Sequence, residues 1–161
     1  MKNRISRNVV VVPALIVALL CAATVAVAQQ APKPEALIKV RQSTFQVVAW
    51  NSGRIKASVE GQYNKEDVIK AANTIAAIAN SGIGALFVAG TEQGKGWHDT
   101  VAKPEVFTNT AHFAELGGNF AKEATELASV AAGGDPALVK VQYGKLTRTC
   151  KACHDDFKNK E

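Results

Sequence analysis

Two kinds of signal are missing from this 161-residue sequence: those that build β-sheets and those that mark common catalytic centres. No stretch alternates apolar and polar residues as a half-buried strand does, and no Asn-Gly pair predicts a hairpin. No nucleophile–base pair and no pair of carboxylates stands out, so we do not expect an enzyme. No internal repeat is present. A single helical domain is therefore the starting expectation.

Methionine and cysteine are also scarce, and Met1 and Cys21 both lie within the first 28 residues. A basic start is followed by an apolar run, Val9 to Val27, and by the small-residue sequence Ala26-Val27-Ala28. This order predicts a secretory signal peptide over 1–28. Pro13 argues against a retained membrane anchor, and Leu20 before Cys21 argues against a lipoprotein. Cleavage would leave 29–161 as one exported, periplasmic domain, free of the membrane.

Removing that segment changes the charge and the remaining residue types. The segment carries three of the 19 basic residues and none of the 14 acidic ones, so the net charge falls from +5 to +2. A chain so close to neutral is not expected to bind nucleic acid. The rest of the chain has no methionine, and its two cysteines, Cys150 and Cys153, lie in one short motif.

Proline, glycine and capping residues divide the remaining chain into four predicted helices. They cover 34–61 from Pro34, 65–82 after Asn64, 104–133 from Pro104, and 136–158 from Pro136. A glycine-containing connection over 82–103 carries Trp97 and His98. Four helices joined by short or moderate loops predict an all-α, antiparallel four-helix bundle, with a cofactor bound near the C-terminal helix.

Apolar patterns assign faces to two of these helices. On the first helix the residues at helical spacing are Leu37, Val40, Thr44, Val47, Asn51 and Ile55. On the third, large residues repeat every seven positions at Val106, Phe113, Phe120 and Leu127, with Thr110, Gly117, Ala124 and Ala131 between them. Such a seam lets a neighbouring helix approach closely. The Gly117-Gly118 pair favours a kink.

One motif carries the chemistry. Cys150, Cys153 and His154 form C-x-x-C-H, the attachment pattern of c-type haem. On a helix these three positions share one face, so two thiols can add to the haem vinyl groups while the imidazole reaches the iron. Leu146 and Phe157 lie on the same face and predict an apolar wall for a large flat cofactor.

Two other uses of the cysteines have less support. A thioredoxin-like C-x-x-C needs a βαβ context, which a helical chain does not offer. A zinc site needs four ligands, and although His98 and His112 could join the cysteines, the chain lacks a second pair at conventional spacing. Covalent haem is the better interpretation.

The second axial position of the iron has no obvious ligand. Methionine, the usual partner of histidine in electron-transfer haems, is absent after cleavage. His98 and His112 are expected to be solvated surface histidines. We therefore expect an open iron position that is covered by an apolar side chain.

The position of the motif, near the C-terminus on the last of four helices, resembles cytochrome c′ of the class II c-type cytochromes. The similarity spans most of the chain from Lys33 to Lys160 and includes Val40–Phe45 (V-R-Q-S-T-F), Gly90-Thr91-Glu92 and Pro104-Glu105. The resemblance implies a left-handed four-helix bundle, often a homodimer, with one covalent haem c and a five-coordinate iron.

The resemblance also implies roles for individual residues. Arg41 matches the arginine near a haem propionate, and Phe45, one turn later, matches the apolar residue over the vacant iron face. Relatives with a six-coordinate iron carry methionine in this region. Lys158 stands where many relatives carry an arginine near the proximal face.

An open, apolar-capped iron favours reversible binding of a diatomic gas, with nitric oxide as the leading ligand and carbon monoxide as another. The alternative is electron transfer between redox protein partners, but carriers usually hold both axial positions. Peroxidase-like activity would need polar distal residues, which the sequence does not offer.

Covalent attachment can be tested directly. We predict that the denatured protein keeps its haem through extraction with acidified acetone, because bonds to Cys150 and Cys153 survive unfolding. Haem that extracts freely, or one equivalent of zinc without haem, would contradict this prediction.

Overall fold

The computed structural model describes residues 32–160, and the predicted signal peptide over 1–28 lies outside these residues. The elements in chain order are α1 (Pro34–Glu60), α2 (Lys65–Ala79), a 3₁₀ turn (Ile83–Leu86), α3 (Glu105–Thr108), α4 (Thr110–Gly133) and α5 (Pro136–Phe157). The segment from residue 32 to residue 160 contains no strand beyond two isolated bridges. None of the helices in this described segment has the length and apolar character needed to cross a membrane.

The helix ends are set by local signals that the sequence contains. The Asn64 side chain accepts a hydrogen bond from the Asp67 amide, which caps α2. The Asp135 side chain accepts from the first free amides of α5, and Pro136 occupies the first helical position. Gly134, with φ of +81°, ends α4 in the left-handed conformation that favours glycine. These boundaries confirm the predicted ones.

The four long helices α1, α2, α4 and α5 pack as a bundle, as predicted. The pairs α1–α2, α2–α4 and α4–α5 are in extensive contact, whereas α1 and α5 touch along a shorter stretch. The largest fully buried apolar side chains are Ile38, Ile55, Ile75, Leu127, Leu146, Val68 and Val139. They come from all four helices, so one apolar core holds the bundle together.

The third predicted helix is wrong in one respect, because it forms two helices. Asn109, with φ of −109° and ψ of 54°, leaves the helical conformation and separates α3 from α4. Helix α4 runs on through Gly117-Gly118, where the kink was expected. Of the predicted seam, Val106 is buried on α3, and within α4 the seam is buried from Phe120 onward, while no side chain lies close to Gly117.

The apolar face predicted for α1 also differs from the buried one. The buried residues of α1 include Ile38, Arg41 and Val48, whereas Val40 and Val47 are 51% and 44% exposed. The reason is a tertiary one: Arg41 turns inward to meet hydrogen-bond acceptors that other segments supply. Helix α1 therefore carries an apolar stripe on its outer side as well.

Candidate functional site

The C-x-x-C-H motif occupies the last turns of α5. Cys150 and Cys153 are unpaired and half-buried, and His154 is exposed at the same end of the helix. Leu146 and Phe157 of the same helix are buried. Two thiols and an imidazole beside an apolar surface are the chemical groups that a covalently attached haem needs.

Burial tunes the protonation of these groups. It raises the pKa of the Cys150 and Cys153 thiols, and at Cys153 the neighbouring Cys150 and Asp156 add to this effect. Partial burial, and after it the charge of Lys158, lowers the pKa of His154. A lowered pKa favours the uncharged imidazole, which is the form that binds a metal.

The zinc alternative gains no support from the geometry. Between residues 32 and 160, no three or more His, Cys, Asp or Glu side chains converge as a metal ion would require. His98 lies instead against α1, where the Gln42 side chain donates to its carbonyl oxygen at 2.9 Å. His112 lies between two carboxylates, those of Glu115 and Asp156.

The end of α5 is fixed by residues of the connection. Lys103 Nζ donates to the carbonyl oxygens of Asp155 and Asp156 at 2.9 and 3.1 Å. The Lys103 amide donates to the Phe157 carbonyl at 3.0 Å. A cation at the C-terminal end of a helix satisfies free carbonyls and opposes the negative end of the helix dipole. The connection thus holds the helical turn that carries His154.

Arg41 of α1 holds another part of the same connection. It is 5% exposed, and its terminal nitrogens donate to Thr91 Oγ1 at 2.9 Å, to the Thr91 carbonyl at 2.9 Å and to Thr100 Oγ1 at 2.7 Å. Burial lowers the pKa of the guanidinium, which nevertheless stays protonated because its ordinary pKa is so high. Sequence reasoning identified Arg41 but not these partners.

The two residues after Arg41 also bind the connection. Gln42 accepts from the Trp97 amide at 2.7 Å, and Ser43 accepts from the Trp97 indole at 2.8 Å. Gly96 approaches α1 so closely that a Cβ there would lie 2.9 Å from the Lys39 nitrogen. The Arg-Gln-Ser sequence is therefore a docking element for residues 91–100. The glycines around Trp97 were the only sequence signal of this close approach.

Four phenylalanines form a continuous line of rings, the phenylalanine chain, which consists of Phe45, Phe87, Phe113 and Phe157. The successive ring centroids are 6.3, 4.8 and 5.3 Å apart, and each pair packs edge to face. The phenylalanine chain starts at Phe45 on α1 and ends at Phe157 on α5, three positions after His154. Phe87 was not identified as a site residue from the sequence.

His112 links the start of α4 to the end of α5. Its Nε2 lies 2.9 Å from an Asp156 oxygen and its Nδ1 lies 3.3 Å from a Glu115 oxygen. The hydrogen bonds to Asp156 and then to Glu115 raise the pKa of His112. The expectation of an unattached surface histidine is therefore too simple, because His112 bridges two helices.

A four-helix bundle with two unpaired thiols and an uncharged imidazole at the end of its last helix defines a helical c-type haem protein. A sequence profile described as "Cytochrome C'" matches residues 36–158. The chain belongs to the cytochrome c′ family, whose cofactor is covalently attached haem c.

Individual relatives agree with this assignment. The chain is 62% identical over 130 residues to cytochrome c′ of Rhodocyclus tenuis, covering 80% of this chain and 98% of the relative. It is 43% identical over 127 residues to cytochrome c′ of Allochromatium vinosum, covering 79% and 82%.

Solved structures show the same fold. One is a cytochrome c′ with ligand-controlled dimer dissociation; it is 42% identical, with a TM-score of 0.78 over 81% of this chain and 99% of that one. Another is the nitric oxide complex of a cytochrome c′ variant from Alcaligenes xylosoxidans, which is 29% identical with a TM-score of 0.71 over 80% and 98%.

The bridge made by His112 predicts a pH-dependent contribution to stability. Because folding raises the pKa of His112, its stabilising effect is complete below the unfolded value of about 6.5 and is lost as the pH rises through the folded pKa. We expect His112→Asn to lower the urea midpoint of unfolding more at pH 5.5 than at pH 9. In an Asp156→Asn background this difference should shrink. Equal losses at both pH values would contradict the prediction.

Proposed function

We propose that this chain is a periplasmic haem protein that binds diatomic gases, chiefly nitric oxide. In this proposal Cys150 and Cys153 attach the haem, His154 is the iron ligand, and Phe45 covers the opposite side. The observation that supports the proposal is the phenylalanine chain, in which the half-buried ring of Phe45 packs against Phe87. A hydrocarbon ring, rather than a ligating side chain, is what an open iron position needs as its cover. When bound, the haem iron supplies a coordination position for a gas and a change of redox state.

The residues around the site divide the remaining tasks. His154 is uncharged and can donate its lone pair at neutral pH. Arg41 can offset a propionate charge while sharing its guanidinium with Thr91 and Thr100. A reduction potential that does not change in Arg41→Gln would remove this role.

The cut after Ala28, which would make Gln29 the first residue, is tested by the intact mass of the exported protein.

The preference among gases follows from the lack of polar groups on the rings of the phenylalanine chain. The rings that pack around Phe45 and Phe87 are hydrocarbon and offer a bound gas no hydrogen bond. Bound oxygen needs such a donor more than nitric oxide does, so oxygen should bind poorly. The nitric oxide complexes of variants from Alcaligenes xylosoxidans support this choice of ligand.

Electron transfer between protein partners is the alternative function. It would favour a second protein ligand on the iron, because a carrier gains from a site that does not rearrange. The absence of methionine after the predicted cut weighs against it. We propose a binding protein rather than an enzyme, since the site provides haem attachment and an apolar cover but no paired general acid and base.

The proposed open site is tested by spectroscopy and kinetics together. We expect a high-spin ferrous spectrum at neutral pH and faster carbon monoxide binding in Phe45→Ala. Moving a packed ring costs about 1–3 kcal/mol, which corresponds to roughly a ten- to hundredfold change in association rate. Flash photolysis of the ferrous carbon monoxide complex measures this rate.

Val48→Ala is the matched control, because Val48 is buried on α1 only three residues from Phe45 but belongs to the apolar core. It should lose stability without gaining association rate. A low-spin ferrous spectrum would refute the open site. An unchanged rate in Phe45→Ala would make Phe45 a packing residue.

A homodimer is the second part of the proposal, and it is supported by the outer stripe of α1. The stripe opens onto a mainly apolar groove, whose lining includes Val40, Thr44, Val47, Ile78, Ile83 and Leu86. Trp50 extends the exposed apolar surface by one further turn. Exposed apolar area of this kind is typical of a surface that is covered by a partner. The dimer of a 42% identical relative supports a second copy of this chain as that partner.

Charge placed on the stripe tests the dimer. We expect Val47→Glu to shift the holoprotein toward monomer in sedimentation velocity, because a dimer would bury the new carboxylate. Val141→Glu on α5 is the control, since Val141 is 62% exposed but lies away from the groove. A parent protein that stays monomeric at all concentrations, or a Val47→Glu variant that stays dimeric, would exclude this interface.

A further inference from the structure

Phe87 is the ring that packs against Phe45, and it comes from the connection rather than from a helix of the bundle. It follows directly after the 3₁₀ turn. Its ring packs against Phe45, with centroids 6.3 Å apart, and against Phe113 of α4 at 4.8 Å. The guanidinium carbon of Arg41 lies 4.6 Å from the Phe87 centroid. Two helices thus hold the ring of one loop residue.

The backbone on either side of Phe87 is anchored as well. The Phe87 amide donates to the Gly84 carbonyl at 3.0 Å. Four residues later, the Thr91 amide and hydroxyl both donate to the Val88 carbonyl, at 3.0 and 2.7 Å. Arg41 then binds the Thr91 carbonyl. A displacement of the backbone between Phe87 and Thr91 would disturb the buried hydrogen bonds between Arg41 and Thr91, which is costly.

We infer that Phe87 is a positioning residue for Phe45, the gate that a gas must displace to reach the iron. Phe87 limits how readily Phe45 moves aside and so sets the rate of gas entry. The inference rests on the proposed role of Phe45. An edge-to-face ring pair is attractive beyond the area it buries, because the positive edge of one ring meets the negative face of the other. Phe45 loses this contact when it swings away, so the pair raises the barrier to opening.

Ordinary packing explains Phe87 less well. The ring is only half-buried, and Phe87 is not part of the apolar core that surrounds Leu127. A residue that served only to stabilise the bundle would change the unfolding midpoint and leave ligand kinetics unchanged. A positioning residue changes the kinetics, and does so only while the ring it positions is present.

Carbon monoxide association to the ferrous holoprotein, measured by flash photolysis, tests the inference in a double-mutant cycle. The four proteins are the parent, Phe87→Leu, Phe45→Ala and the variant with both substitutions. We expect Phe87→Leu to speed association about two- to tenfold, from the typical strength of an aromatic pair. In the Phe45→Ala background it should give no further increase.

Phe120→Leu is the matched control, because Phe120 is a buried ring of α4 that lies in the apolar core. It should lose stability and keep the parental association rate. The urea unfolding midpoints of the same four proteins provide a readout that does not depend on gas binding. There the losses from Phe45→Ala and Phe87→Leu should be non-additive, as expected for two rings in contact.

The outcomes separate the two proposals. If Phe45→Ala leaves the rate unchanged, the gate itself is wrong and the role of Phe87 fails with it. If Phe45→Ala speeds association but Phe87→Leu does not, or if their effects multiply, the gate stands and the inference about Phe87 is overturned. Should Phe87→Leu not fold, Phe113→Leu loosens Phe87 from the other side. It must then show the same dependence on Phe45, with a smaller increase.

Discussion

The buried charge of Arg41 is the constraint on which the rest of the site depends. A guanidinium that is taken out of water must find acceptors inside the protein, and these are supplied by Thr91, Thr100 and the carbonyl of Leu86. The connection therefore has to follow α1. Because the connection follows α1, the Phe87 ring packs against Phe45. The same segment continues to Lys103, which donates a hydrogen bond to the end of α5. The buried charge of Arg41 on the first helix thus helps to position the connection, which carries Phe87 and also contacts the last helix.

Helix α1 has two working faces, and they are separated by very few residues. Phe45 points to the ring chain, whereas Thr44 and Val47 line the outer groove. A ligand that displaced Phe45 would act within one turn of the proposed dimer surface. One relative is a cytochrome c′ with ligand-controlled dimer dissociation. In this chain one helix, α1, carries both the ring of Phe45 and the groove residues Thr44 and Val47.

The sequence allowed a reliable prediction wherever the cause was local. Asn64 and Asp135 begin helices through side-chain hydrogen bonds within a few residues, Gly134 ends one through its left-handed backbone, and the haem motif depends on helical spacing alone. Features that depend on contacts between residues far apart in the sequence could not be predicted. Arg41 turns inward because of acceptors 50 and 59 residues away, and Val40 and Val47 of the suggested face stay exposed, whereas Asn51 and Ile55 are buried as expected. Phe87 has no periodic pattern to mark it, because it follows a 3₁₀ turn in a connection.

The absence of a side chain at Gly96 limits how the protein can change over time. A single methyl group there would push the connection off α1, since the nearest backbone nitrogen, that of Lys39, leaves no room. The tryptophan and glutamine contacts on either side depend on that closeness. Substitution of Gly96 is therefore restricted by the close approach of the connection to α1. A site far along the chain from the haem motif therefore has little mutational tolerance.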